Sequence, residues 1–162
     1  MACGNAWFIP SYKIVANPDS EMAALSKIKP KEFIVVDKKF ESSITGFTPS
    51  FDSAGVIKLT SYLPNYLTYQ SKAGSEQLAV FSEIYYPDGW NAYIDGKQSA
   101  YFGCNYVLRA MRIPAGEHKI EFKFEPKSYI AGEKIALASS ILLYLALAGA
   151  LFAEFRKKKE VA

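Results

Sequence analysis

Nineteen consecutive residues, Ile135 to Ala153, carry no charge, and the basic run Arg156-Lys157-Lys158-Lys159 follows almost at once. At about 1.5 Å per residue, a helix of this length just reaches across a hydrocarbon core of roughly 30 Å. Leu, Ala and Ile dominate the stretch and it contains no Pro, so a single C-terminal transmembrane helix is expected. Ala146, Gly149 and Ala150 offer small residues that permit close approach of another helix.

The basic run also predicts an orientation. Short basic segments beside a span stay on the cytoplasmic side, so the tail is expected to be cytoplasmic and residues 1–134 extracytoplasmic. The N-terminal stretch MACGNAWFIPSYK has no basic region followed by an apolar run and a small-residue cleavage site, so it does not read as a signal peptide. Two accounts follow. In the favoured one the chain is the C-terminal piece of a larger polytopic protein. In the other, the soluble part stays inside and the charge rule is broken.

The 162 residues suffice for one domain of about 130 residues and one helix. The expected division is a β-sandwich domain over 1–133, the membrane helix over 134–156 and a basic tail over 157–162. Most of the formal charge of +3 comes from the tail, whose four bases outnumber Glu154 and Glu160, because residues 1–134 hold 15 Lys/Arg against 14 Asp/Glu, a net of +1. No basic face is concentrated enough to predict a nucleic-acid partner, and the tail reads as a topology signal and a contact for anionic lipid. The 11 Tyr, 11 Phe and 2 Trp, with many β-branched residues, suit pleated, half-buried surfaces. Cys3 and Cys104 permit a bridge without requiring one, and the expectation is two free thiols or a Cys3 that reflects only where the chain begins.

Along the chain, WFI and YKIV read as strands broken at Pro10. Asn17-Pro18-Asp19-Ser20-Glu21 has a capping residue, a Pro suited to the first helical position and early acids. Met22, Leu25 and Ile28 then fall on one face, predicting a short amphipathic helix over 18–28. Phe33 to Val36 is a strand-like run. From Gly55 onward the pattern is almost purely β: strands over 56–62 and 65–70, then 78–84, 90–94 and 97–102, and lastly 106–113 and 118–125. Asp95-Gly96 between strand-like runs is a strong hairpin signal, because both positions need positive φ. Ile120, Phe122 and Phe124 alternate with Lys119, Glu121, Lys123 and Glu125, as expected of antiparallel sheet with one wet face. The fold class expected is mainly β: an antiparallel sandwich, jelly-roll- or Ig-like, with one short helix and then the membrane helix.

Little chemistry is spelled out. His118 has no Cys or His at ligand spacing, so it reads as an incidental strand residue, and neither a metal nor a cofactor is expected. Asp88 and Asp95 stand where turns need them. The distinctive local feature is Tyr85-Tyr86-Pro87-Asp88-Gly89-Trp90-Asn91-Ala92-Tyr93. Flat aromatic rings with polar tips can form a platform for sugar rings or a bilayer-facing surface. The weightier competing reading is that Trp90 and alternate tyrosines fill the core. Trp90, Tyr85, Tyr86 and Tyr93 are the candidate contacts, and no catalytic residue is assigned.

The stretches LAVFSEIYYPDGWNAYIDGK and NYVLRAMRIPAGEHKIEFKFEPKSY, followed by a terminal span, resemble the C-terminal end of the YfhO family of bacterial membrane proteins. GNAWF, SEMAAL and LTSYLPNYLTYQS extend the resemblance over essentially the whole chain. It implies a polytopic parent with many N-terminal spans, an extracytoplasmic β-rich domain and a final helix. Such proteins are similar to membrane glycosyltransferases that use lipid-linked sugars, whose catalytic acid lies in an early extracytoplasmic loop. That loop has no counterpart here, so the resemblance carries no catalytic residue onto this chain. The implied role is that of an accessory domain in envelope glycan transfer, with membrane lipid, further membrane helices and envelope glycan as partners. The alternative is a non-enzymatic anchored module that recognises envelope polymer or protein.

Overall fold

A computed structural model describes residues 3–48, 50 and 52–160. The chain divides into two units, Met1–Phe124 and Glu125–Ala162.

The first unit is mainly antiparallel β. Strands β1 (Ala6–Ile9) and β2 (Tyr12–Val15) are followed by helix α1 (Pro18–Leu25), β3 (Ile34–Asp37), a single 3-10 turn (Lys38–Phe40) and α2 (Glu41–Ile44). Then come β4 (Val56–Leu63), β5 (Tyr66–Ala73), β6 (Gln77–Ile84), β7 (Trp90–Ile94), β8 (Lys97–Ser99), β9 (Phe102–Cys104), β10 (Leu108–Ile113) and β11 (Gly116–Phe124). One sheet has the order β1-β6-β10-β9, a second β4-β5-β11-β7-β8, and β2 pairs with β3 alone.

The two larger sheets face each other. Ala79, Phe81, Met111 and Ile113 of the first form one apolar cluster with Leu67, Tyr69, Ala92, Ile120 and Phe122 of the second. Tyr69, Phe81 and Phe122 meet edge to face, with ring centroids 4.8 to 6.2 Å apart, the geometry that aromatic quadrupoles favour. The predicted alternation in β11 holds for Ile120 and Phe122, both fully buried, whereas Phe124 at the strand end is 39% exposed.

The four-stranded sheet is buried on its other face too. Leu78, Val80, Phe102, Cys104 and Ala110 point there and meet Ile34, Val36, Ile44 and Phe47. A strand covered on both sides reads as a continuous apolar run rather than an alternating one, which accounts for Leu78-Ala79-Val80-Phe81. The covering layer contains a β2–α1–β3 crossover. β2 and β3 run parallel, Tyr12 opposite Ile34 and Val15 opposite Asp37, and parallel neighbours need a connection of a dozen or more residues. Residues 16–33 supply it.

Three local expectations differ from the structure. The single strand expected over 97–102 is two strands in two sheets, because the chain crosses from one sheet to the other at Ala100 and Tyr101. The helix over 18–28 stops at Leu25. Its predicted apolar face is only partly buried: Leu25 and Ile28 are half-buried and Met22 is 48% exposed, whereas Glu21 is 5% exposed. The cap itself is as expected, with Asn17 accepting the Ser20 N–H at 2.9 Å and Pro18 at the first helical position. The hairpin at Asp95 (φ 50°) and Gly96 (φ 79°) has both residues in the left-handed region. Both cysteines are free.

The second unit contains α3 (Lys127–Glu160). Within it Ala131–Ala150 is long and apolar enough to cross a membrane. Ser139 and Ser140 donate their hydroxyls back to the Ile135 and Ala136 carbonyls, at 2.8 and 2.9 Å, so these polar groups are satisfied within the helix, as a hydrocarbon environment demands.

Candidate functional site

The four aromatic candidates do not converge on one surface. β7 has a two-residue period, so Trp90, Ala92 and Ile94 turn to the inner cluster while Asn91 and Tyr93 turn outward. Trp90 packs on Phe124 with centroids 5.4 Å apart. Tyr85 stacks edge to face on Phe40 and Tyr101, at 5.2 and 5.5 Å. The Tyr101 hydroxyl meets the backbone carbonyls of Tyr86 and Trp90, at 3.1 and 3.2 Å. Tyr86 itself is exposed. The segment 85–90 is thus tied down by Tyr101 from beneath.

Behind Trp90 lies Arg109, which was not among the sequence candidates. It is 3% exposed. Its guanidinium lies 4.6 Å from the Trp90 ring and 5.1 Å from that of Phe122, and Nε donates to the Ile84 carbonyl at 2.8 Å. Among the described residues, Arg109 Nη1 and the Tyr69 hydroxyl are buried without a hydrogen-bond partner. Burial lowers the Arg109 pKa and raises that of Tyr69. A lone base within the run Leu108-Arg109-Ala110-Met111 is the signal that marks it, since a strand buried on both faces has no ordinary place for a charge.

Tyr93 belongs to the outer face of the five-stranded sheet, with Glu121 opposite it in the register. Glu121 is 6% exposed although it points outward. It accepts the Tyr66 hydroxyl and the Lys119 ammonium, the latter at 3.0 Å, with Lys123 at 3.7 Å. The Tyr66 hydrogen bond, the largest favourable influence, holds its pKa below the usual carboxylate value. Lys123 lies over both the Tyr93 and Tyr66 rings, at 4.8 and 5.5 Å. Continuing along this face from Lys119 is a groove of about 570 Å³ bordered by Lys58, Thr60, Gln70, Lys72, Glu117 and Lys119. Lys, Gln, Thr and Glu at alternate strand positions were the available sequence signal. The face is polar, cationic at its rim and edged by tyrosine.

His118 is not the incidental strand residue expected. Its Nδ1 lies 2.6 Å from Asp95 Oδ2 and its Nε2 3.2 Å from the Ala115 carbonyl, so a carboxylate and a carbonyl accept from the two ring nitrogens of the imidazolium. The Asp95 hydrogen bond raises the His118 pKa. Asp95 Oδ1 also accepts the Lys119 N–H at 2.8 Å. The pair clamps the β7–β8 turn to β11.

A further polar group lies in the covering layer. The Glu21 carboxylate accepts the N–H of Tyr106 at 2.9 Å, and Tyr106 and Asn105 both have positive φ. Burial raises the Glu21 pKa, and the nearby Asp37 adds to the effect. Asn105 Oδ1 accepts the Val35 N–H at 2.9 Å. These groups fasten the loop after β9 to β3 and α1. Among the described residues no group of three His, Cys, Asp or Glu could hold a metal ion.

The chain is a mainly β domain followed by one helix long and apolar enough to cross a membrane. The family model described as "Bacterial membrane protein YfhO" matches residues 53–136, just over half of the chain. The chain belongs to the YfhO family. No curated protein and no solved structure matches it.

Proposed function

We propose that residues 3–124 are the extracytoplasmic accessory domain of a YfhO-type polytopic protein that takes part in envelope glycan transfer, and that this domain holds the acceptor polymer. The observation that carries the reading is the outer face of the five-stranded sheet. Its groove combines lysine, amide and hydroxyl groups with the Tyr66 and Tyr93 rings alongside. Hydroxyl-rich rings are gripped by such amide and hydroxyl groups and by flat aromatic faces. The lysines suit a polymer that also carries phosphate or carboxylate. Of the four aromatic candidates, Tyr93 is the one this reading assigns to contact, while Trp90 and Tyr85 support the fold and Tyr86 lies elsewhere. In this reading the basic tail is cytoplasmic, following the positive-inside rule.

The test is retention of envelope polymers by the full chain in detergent. An anionic polymer should be retained by the natural sequence and lost on Tyr93→Ala combined with Lys58→Glu, with an unchanged melting curve. Failure of the natural sequence to retain any polymer discards the acceptor role. Labelling intact cells with an impermeant amine reagent tests the sidedness: Lys119 and Lys123 should react and Lys157 to Lys159 should not.

A further inference from the structure

Six of the large apolar side chains left exposed on the β domain gather at one end of it, whereas Met22 on α1 and Val56 beside Lys72 lie apart from them. Tyr62, Leu63, Ile84, Tyr86, Val107 and Phe124 are 39% to 69% exposed. Hydrogen bonds and register join them into one rim. Leu63 stands opposite Tyr66, which stands opposite Lys123, the neighbour of Phe124. The Phe124 N–H donates to Asn65 in the β4–β5 turn at 2.9 Å, and the Tyr85 N–H donates to the Val107 carbonyl at 2.7 Å. Ile84 and Trp90 are joined through Arg109, and Tyr86 and Trp90 through the Tyr101 hydroxyl. The far end of the sandwich is different in kind. Its turns bring together Asp95, His118, Lys119, Lys72 and Glu117 in ion pairs and hydrogen bonds.

We infer that this rim is a lipid-contact surface, seated in the headgroup region of the bilayer into which the chain is anchored. A contiguous exposed apolar patch marks an interaction site, and aromatic rings with polar tips beside aliphatic side chains are the residues that collect at membrane–water interfaces. The covalent connection selects lipid among the occupants. The chain leaves the β domain at Phe124, within the rim, and the apolar span begins at Ala131. Seven residues reach no more than about 25 Å even when fully extended. The polar end lies a further nine-residue strand away, since β11 runs from Gly116 to Phe124, which adds about 30 Å. The short connection therefore limits how far the apolar end can stand from the headgroups more tightly than it limits the polar end. Headgroups line both leaflets, so the inference is independent of sidedness and of the glycan reading.

The experiment uses the full chain in nanodiscs of phosphatidylethanolamine and phosphatidylglycerol. Single cysteines at Leu63, Ile84 and Lys97, in a Cys3→Ser background, carry a nitroxide label. Thermal melts confirm that these exposed positions tolerate the change. Collision with oxygen relative to a polar nickel chelate should be several-fold higher at Leu63→Cys and Ile84→Cys than at Lys97→Cys. Equal ratios at all three positions would overturn the inference. So would low access to both reagents at Leu63→Cys and Ile84→Cys, the result expected if another protein segment covers the rim.

Discussion

The four-stranded sheet separates two layers built on different terms. On one side the five-stranded sheet meets it through interlocking rings, Tyr69, Phe81, Phe122 and Tyr101. On the other side residues 12–47 meet it through mixed aliphatic and aromatic contacts, Phe40 against Phe102 and Tyr85 among them, reinforced by buried polar groups: Glu21 to Tyr106, Asn105 to Val35, Asp37 capping the turn that follows it. The first layer is held mainly by shape and buried area, with the Arg109 guanidinium over Trp90 and Phe122 as a charged contact. The second depends also on a few directional bonds, two of them between partners far apart in the chain, so it is specified by single residues that cannot be exchanged for apolar ones of similar size.

The largest expected effect falls in the aromatic layer. Phe122→Ala removes a fully buried ring that touches Tyr69, Phe81 and Tyr101, and it should destabilise by about 3–5 kcal/mol in denaturant titration. An equal loss on Ile44→Val in the covering layer would erase the contrast, since that change should cost only about 0.5–1.5 kcal/mol. Next comes Glu21→Leu, which strands the Tyr106 N–H and should cost about 1–3 kcal/mol. Glu21→Gln keeps an acceptor and tests the charge. Because the folded-state pKa of Glu21 is raised, its favourable contribution is complete below its ordinary value of 4.5 and is lost as pH rises through the folded value. The natural chain should therefore lose stability over that interval relative to Glu21→Gln, as measured by melting temperature against pH.

A smaller effect attends the turn clamp. The raised His118 pKa means that its contribution is complete below 6.5 and fades as pH rises through the folded value. With Asp95 half exposed the amplitude should stay under about 1 kcal/mol, and His118→Gln should flatten that part of the profile. The smallest effect is at Lys72, paired with Glu117 at the open surface. Lys72→Ala should leave the melting temperature unchanged, and a clear drop would mean that the groove rim contributes to folding.

The aromatic layer was largely legible because its signals are local. Asp95-Gly96 announced its hairpin, and the inward positions of β11 could be counted by twos. The same count separates Trp90 from Tyr93, since residues an odd number apart on a strand face opposite ways. The covering layer was not legible in this way. Nothing near Glu21 reveals that its carboxylate is needed by a backbone N–H at Tyr106, so the apolar Met22 face was expected to be the buried one. Parallel pairing of β2 with β3 is likewise silent in a strand's own pattern. Arg109 was hidden for a related reason: its cation–π partners, Trp90 of β7 and Phe122 of β11, lie outside its own strand and belong to the facing sheet.

The strand β1 pairs Ala6 to Ile9 with Leu78 to Phe81. The segment that closes one edge of that sheet is thus synthesised well before its docking strand, which is complete only once Ile84 has been made. Until then β1 is an unmatched ribbon of apolar residues leaving the ribosome, open to strand exchange with a neighbouring copy. A shortened gene product carrying only the family-matched residues 53–136 would meet the reverse problem, with the β6 backbone bare along one side and ready to accept a donor strand from another molecule.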